Sequence, residues 1–226
     1  MAVTLVQTKT FQTAGYESSV SFSFDSSVTS GNMIFIALYH GGVTSIDTIS
    51  DTTNTYNLLS DSADGPAYAD GSAFYAYNVT GGSLTITLDF NPGYPNAVGI
   101  AREYSGLTTT DPLDVKADHS DGEYTFNHST GTTSATTQSN ELVIAWHISD
   151  QSAASHTIAD FSNKIEANNG TWGETVIADK ITTSTGTQTA TFVSDTYSNS
   201  WSGIATFKDA SPPPPAEYGD MLLMFM

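Results

Sequence analysis

The chain has no cysteine, one arginine and five lysines among its 226 residues. Without cysteine, disulfide bonds cannot contribute to stability in any compartment. The six basic residues stand against 24 acidic ones, for a net charge of −18. Nucleic acid and anionic membrane surfaces are bound through clustered cations, so the charge balance argues against both as partners. Glycine-rich phosphate-binding loops are missing as well.

Long hydrophobic runs are also missing. No window approaches the ~20 apolar residues that a membrane span needs. The N-terminal stretch "MAVTLVQTKTF" has neither a basic region nor a continuous apolar segment, so the sequence predicts no cleaved signal peptide. An acidic, Ser/Thr-rich surface without an export signal suits a virion protein, made in a host cytoplasm and displayed on the virion surface or in the extracellular space after lysis.

The residues that are abundant favour β-structure. Ser and Thr supply 61 residues, and 25 aromatics provide core material. Strict alternation over Leu84 to Phe90 predicts a half-buried strand, while "MIFIALY" at 33–39 and "LVIAW" at 142–146 predict strands buried on both faces. Short strands separated by turn signals predict an all-β, antiparallel two-sheet β-sandwich of the jelly-roll or immunoglobulin-like kind.

The composition changes at residues 209–211. We expect residues 1–210 to form the sandwich, with a polar, strand-poor stretch at 112–123 as an alternative boundary between two small sandwiches. Residues 211–226 form an extended tail. Its four prolines make a stiff spacer of roughly 12 Å, and six apolar residues follow a short polar bridge. These residues are Pro212, Pro213, Pro214, Pro215, and then Met221, Leu222, Leu223, Met224, Phe225 and Met226.

The apolar end of the tail is the strongest signal for a partner. Extended, "MLLMFM" covers at most ~20 Å, too little to span a bilayer. It could add a strand to the sheet edge of another protein subunit in a capsid or tail, its methionines adapting to an apolar groove. A homo-oligomer is compatible with this docking. The alternative is that the tail folds back onto its own sandwich.

Several motifs resemble an uncharacterised β-sandwich module of bacterial and phage surface proteins. The pattern is a "GN-hydrophobic" strand, then D-x-x-N-T-Y, N-V-T-G-G and E-Y-S-G-L. The resemblance spans residues 18–208 and implies a fold and a surface setting, but no catalytic residue. The matching stretches are "GNMIFIAL" (31–38), "DTTNTY" (51–56), "YAYNVTGGSLTITLDF" (75–90), "AREYSGLTTTDPLD" (101–114), "NELVIAW" (140–146) and "WSGIATF" (201–207).

Catalytic motifs are weak throughout. Ser105 in "EYSGL" lacks the first glycine of G-x-S-x-G, so we interpret it as a strand end. Glu103, next to the single arginine Arg102, is expected to form a structural ion pair rather than to act in catalysis. The histidines lack zinc-binding spacing, although a site assembled from distant strands stays open. They are His40, His119, His128, His147 and His156.

Two D-x-x-D-G patterns are the weak candidates for calcium. They contain Asp61 and Asp64, and Asp118 and Asp121. Hard oxygen ligands suit Ca²⁺, but the spacing is not that of an EF-hand and Asp-Gly is also typical of tight turns. We therefore predict turns and no cofactor.

Trp172, directly after the turn signal Asn169-Gly170, is the tryptophan predicted to be exposed and able to contact a glycan. Three functions follow from the sequence. The first is a non-enzymatic structural virion protein, a capsid decoration or fibre or tail accessory protein. The second is a carbohydrate-binding module or adhesin. A secreted hydrolase comes last, because no set of residues converges on a site.

Overall fold

A computed structural model describes residues 2–41, 46–62, 69–90, 93, 95–151 and 154–210, without the side chains of residues 122 and 123. These ranges contain fourteen strands and no helix. The strands are β1 (Thr4–Gln12), β2 (Ser19–Ser23), β3 (Met33–Tyr39), β4 (Thr48–Ser50), β5 (Asn57–Asp61), β6 (Gly71–Ala76), β7 (Thr85–Asp89), β8 (Val98–Ser105), β9 (Leu113–Thr132), β10 (Leu142–Ser149), β11 (His156–Ile158), β12 (Ser162–Asn168), β13 (Glu174–Ile181) and β14 (Thr189–Phe207).

The strands form three antiparallel sheets. The five-stranded sheet has the order β1-β8-β3-β6-β5, and the six-stranded sheet has the order β11-β14-β10-β13-β12 with β9 also paired to β14. The three-stranded sheet is β2-β7-β4. The predicted antiparallel sandwich is confirmed in the packing of the two larger sheets, and the three-stranded sheet adds a further layer.

The main core lies between the five- and six-stranded sheets. Every residue of β3 and β10 is buried, as their continuous apolar sequences predict. The ring of Phe35 lies 5.8 Å from that of Trp146 and 6.4 Å from that of Phe207, measured between centroids. Since burying one such side chain stabilises a fold by roughly 1.5–3 kcal/mol, this aromatic core is a large contribution to the stability of the molecule.

The three-stranded sheet covers the other face of the five-stranded sheet. Along β2, Val20 and Phe22 are buried between exposed serines, which is the period of two that the sequence shows. Ile86 and Leu88 of β7 are buried in the same core. Hydroxyl pairs such as Ser21–Thr87, 2.8 Å apart, line the outer face. In this sheet, the Ser and Thr residues are therefore the outward-facing half of alternating strands.

The long strands β9 and β14 form a ribbon that bends over the outer face of the six-stranded sheet. Residues 113–121 pair with 200–207, whereas 125–132 pair with 189–198 across a bulge. Beyond the bulge, Phe192 packs with Val143 and Ala145 in a third core. The prediction that 112–123 is strand-poor is wrong, because its polar residues occupy a partly exposed strand that draws its stability from pairing with β14.

The tail residues 211–226, including the proline spacer and the apolar end, lie outside the described residues, and so does Asp64. No helix with the length and hydropathy needed to cross a bilayer occurs in the part of the chain that the structure describes.

Candidate functional site

An open cavity of about 430 Å³ lies at one end of the sandwich, where β3 and β10 end and β8 and β13 begin. Its described walls combine four aromatic side chains with three polar ones. The lining residues are Tyr16, Tyr39, Gly41, Asn96, Tyr124, Asp150, Gln151 and Trp172.

Trp172 is held at the rim of this cavity by the turn between β12 and β13. The Asn169 side-chain oxygen accepts hydrogen bonds from the backbone amides of Thr171 (3.0 Å) and Trp172 (2.9 Å). Gly170 adopts φ +74°, which glycine tolerates without strain. The indole is 62% exposed. A large apolar ring is thus fixed by a short turn and presented to solvent.

Tyr39 forms the floor of the cavity. A Cβ on Gly173 would lie 2.3 Å from the Tyr39 ring. Any residue other than glycine would therefore clash with the ring in its present position. Burial, followed by the charges of Asp150 and Asp70, raises the pKa of Tyr39 to about 12. The phenol consequently keeps its proton at neutral pH, and its hydroxyl can both donate and accept hydrogen bonds.

Asp150 supplies a fixed carboxylate in the same cavity. The Asn199 backbone amide and side-chain amide each donate to it at 3.1 Å. Tyr16 and Tyr124 stand beside it, 73% and 54% exposed. Exposed aromatic faces can pack against the C–H faces of a sugar ring, and the carboxylate and amides can bond its hydroxyls. None of the described lining residues is cationic.

The motifs behind the family resemblance form a structural cluster elsewhere in the molecule. Asp51 accepts hydrogen bonds from Thr53, Asn54 and Tyr56, which closes the "DTTNTY" turn. Burial raises the pKa of Asp51, but these hydrogen bonds outweigh burial and hold the pKa below its usual value. The Asn54 side chain in turn accepts the Thr80 amide of "NVTGG" at 2.7 Å. These motif residues therefore build turns.

Glu103 and Arg102 do not form the predicted ion pair. Successive residues of a strand point to opposite faces, so the two side chains enter different layers. Glu103 is buried and accepts hydrogen bonds from the Asn32 side chain (2.6 Å) and the Thr29 amide (2.8 Å). Arg102 instead pairs with Asp179 at 2.7 Å. Ser105 is the last residue of β8, which confirms the strand-end interpretation.

The described calcium candidates, Asp61, Asp118 and Asp121, do not form a metal-ligand cluster. Asp118 and Asp121 lie within the regular part of β9 rather than in a turn, and at a spacing of three they face opposite sides. Asp118 accepts a hydrogen bond from Ser60 at 2.6 Å, while Asp121 contacts His119 and His128 at 3.2 and 3.1 Å. Asp61 ends β5.

Three histidines that are far apart in the sequence converge beneath the bent ribbon. The ring of His147 lies 4.6 Å from the rings of both His128 and His156. The other two lie elsewhere: His40 is buried against Ser72, and His119 is half-exposed. No spacing rule finds this convergence, because it depends on how β9, β10 and β11 pair.

His128 also completes a Ser-His-Asp arrangement. Its Nε2 lies 3.2 Å from the Ser198 hydroxyl, and its Nδ1 lies 3.1 Å from Asp121. The order of groups matches a hydrolase triad. Ser198, however, is buried and is not among the described residues that line the cavity. We interpret the arrangement as a polar support of the ribbon.

Buried acid and base groups surround His156. Burial lowers the pKa of His156 to about 4, with the charge of Glu166 opposing the shift. Burial, then the charge of Glu166, raises the pKa of Glu174 to about 8. Both groups are thus driven toward their neutral forms at pH 7.

Among the residues of the cavity, only Trp172 carries a signal that sequence reasoning could use, an aromatic beside an Asn-Gly turn. Tyr39 ends β3 and Asp150 follows β10, whereas Tyr16 lies between β1 and β2 and Tyr124 lies within β9. These residues become a set only through the topology. Comparison of the chain with protein-family models, with curated proteins and with solved structures gives no match.

Proposed function

We propose that this protein is a non-catalytic carbohydrate-binding β-sandwich, displayed on a particle or cell surface. The observation that carries the proposal is the convergence of four aromatic side chains with a fixed carboxylate and two amides in one open cavity. Clefts that bind small ligands commonly span roughly 300–1,000 Å³, and 430 Å³ lies within that range.

The negative charge of the cavity favours neutral sugars over acidic ones. Asp150 is its carboxylate, and the described lining contains no cation to balance an acidic sugar. With a net charge of −18, the whole chain repels anionic polysaccharides as well. Neutral hexoses or short neutral oligosaccharides are the expected ligands, stacked on Trp172 with hydroxyls directed at Asp150.

The first prediction is that Trp172→Ala weakens glycan binding at least about 10-fold, equivalent to ~1.4 kcal/mol. Trp172 offers the largest exposed ring in the cavity, and aromatic anchors dominate binding energies. A glycan array should identify the ligand, and isothermal titration calorimetry should compare the variants.

Tyr77→Ala is the matched control. Tyr77 is also a partly exposed aromatic, but it follows β6 at the end of the sandwich opposite the cavity. Its loss should leave affinity unchanged. Equal affinities of the wild type and Trp172→Ala for the glycan would contradict the proposal. So would binding of acidic glycans only.

We further propose that the apolar tail anchors the module to an assembly, as a capsid decoration or fibre protein. The support is the sequence itself: six apolar residues behind a proline spacer, in a chain of net charge −18. Display and glycan binding are compatible functions of one molecule.

The second prediction concerns this anchor. Removing residues 218–226 should abolish incorporation into particles while glycan affinity stays the same, because none of the described residues that line the cavity belongs to the tail. Mass spectrometry of purified particles measures incorporation. Replacing "MLLMFM" with six serines tests apolarity at constant length, and undiminished incorporation of either variant would rule out the anchor.

A further inference from the structure

His156, Glu166 and Glu174 meet under the six-stranded sheet although they belong to three different strands, β11, β12 and β13. One donor atom from each lies within 4.8 Å of the others. The Nδ1 of His156 is 3.6 Å from Glu166 Oε1 and 3.9 Å from Glu174 Oε1. The three side chains therefore face one small volume.

The cluster is buried and its polar atoms are unsatisfied. The Glu174 and His156 side chains are both 0% exposed. Within the described part of the chain, neither ring nitrogen of His156 has a hydrogen-bond partner. Neither Glu174 oxygen has a partner of ordinary hydrogen-bond geometry, although the Ala154 backbone lies near enough to lower the pKa of Glu174 and oppose the effect of burial. Buried polar atoms in folded proteins are almost always paired, so four orphaned atoms in one place indicate a ligand that satisfies them.

Lys164, the neighbouring cation, does not satisfy these buried atoms. Lys164 donates to Glu166 Oε1 at 2.6 Å, and the His156 backbone amide donates to the same oxygen at 2.9 Å. Both contacts use the outer carboxylate, which is partly exposed. They hold Glu166 in place beside His156, but neither is a hydrogen bond to the buried Glu174.

We infer that His156, Glu166 and Glu174 bind a divalent transition-metal ion, with Zn²⁺ the best match. An imidazole nitrogen with carboxylate oxygens is a donor set that Zn²⁺ uses, whereas Ca²⁺ and Mg²⁺ prefer oxygen donors alone. Zn²⁺ bonds of ~2.0–2.1 Å require each donor to move by about 1 Å or less.

The metal would join two distant parts of one sheet. In the order β11-β14-β10-β13-β12, His156 and Glu166 belong to the two end strands, and Glu174 belongs to the strand next to β12. The two end strands are consecutive in the chain and joined by residues 159–161, so they lie close together although they do not pair. A shared ion would link them and stabilise the three-residue strand β11.

The test uses untagged, full-length protein stripped with a chelator and titrated with Zn²⁺. We expect about one ion per chain by plasma mass spectrometry after dialysis, and a rise in melting temperature of about 5–10 °C at 100 times Kd. His156→Gln and Glu174→Gln should each reduce affinity at least 10-fold and remove the thermal shift. His119→Gln, which changes a half-exposed histidine outside the cluster, should bind like wild type.

Glu174→Gln keeps the shape of the side chain and removes a buried carboxylate, so it is expected to fold. Circular dichroism before metal addition checks this for every variant. Equal Zn²⁺ binding by wild type and by the His156→Gln/Glu174→Gln double variant would overturn the inference. So would the absence of binding by well-folded wild-type protein, which would leave the cluster as a buried acid–base contact. Glycan binding is measured separately and does not depend on this result.

Discussion

Replacing Arg102 with methionine should lower the free energy of unfolding by about 3–5 kcal/mol. The guanidinium is buried between the two larger sheets, where it donates to Asp179 at 2.7 Å and to Tyr104 at 3.3 Å. It also donates to the carbonyls of Asn163 and Ile177. Without Arg102, a carboxylate remains buried with no opposite charge. Urea denaturation monitored by tryptophan fluorescence measures the loss.

The matched control is Lys9→Met, which breaks a solvent-exposed ion pair with Asp25. Exposed pairs contribute at most ~1 kcal/mol, so this variant should stay close to wild type. The double variant Arg102→Met/Asp179→Leu should recover much of the loss, since well-packed apolar groups can replace a buried pair. If Arg102→Met costs no more than Lys9→Met, the buried pair is not a stabilising element of the sandwich.

Gly203→Ala should destabilise the protein by about 3 kcal/mol, although replacing a glycine within a strand by alanine usually increases stability. Gly203 on β14 is directly opposite Trp146 on β10. A Cβ at this position would lie 2.1 Å from Cζ2 and 2.5 Å from Cε2 of the indole, which crosses the glycine inside the main core. At 2–4 °C per kcal/mol, the melting temperature should fall by roughly 6–12 °C.

A double-mutant cycle tests this cause directly. Trp146→Phe shortens the ring and should by itself lower stability by leaving a cavity. Combined with Gly203→Ala, it should destabilise less than the sum of the single changes, because the added methyl then has room. Strict additivity of the two changes would mean that Gly203 is required for another reason, such as backbone conformation.

The predictability of the fold follows from how strongly each segment depends on its neighbours. Met33–Tyr39 is apolar throughout, and the predicted strand matches β3 to the residue. In contrast, β9 consists largely of polar residues and owes its strand conformation to β14, a partner about 80 residues away. A local sequence pattern indicates which side chains are buried, but it does not indicate which other strand forms the backbone hydrogen bonds with the segment.

The same reasoning applies to the sites. The exposure of Trp172 follows from a local turn, so the sequence indicates it. Tyr16 and Asp150 reach the same cavity only through the order of strands in two sheets. His156 and Glu174 belong to β11 and β13, which do not pair with each other, so no spacing in the sequence indicates that they meet. The ion pair expected between adjacent Arg102 and Glu103 fails for the simplest reason, the alternation of side chains along a strand.

The position of β14 has a consequence for how the protein is made. It pairs with β9, β10 and β11, yet it follows all three in the chain and is the last described strand to be synthesised. Until Phe207 has left the ribosome, the six-stranded sheet lacks the strand that pairs with β9, β10 and β11, and apolar β10 has an unpaired edge. The five- and three-stranded sheets, complete by Ser105, can fold first and offer β10 a surface to dock on. The nascent chain is thus expected to be most prone to aggregation during the last half of its synthesis.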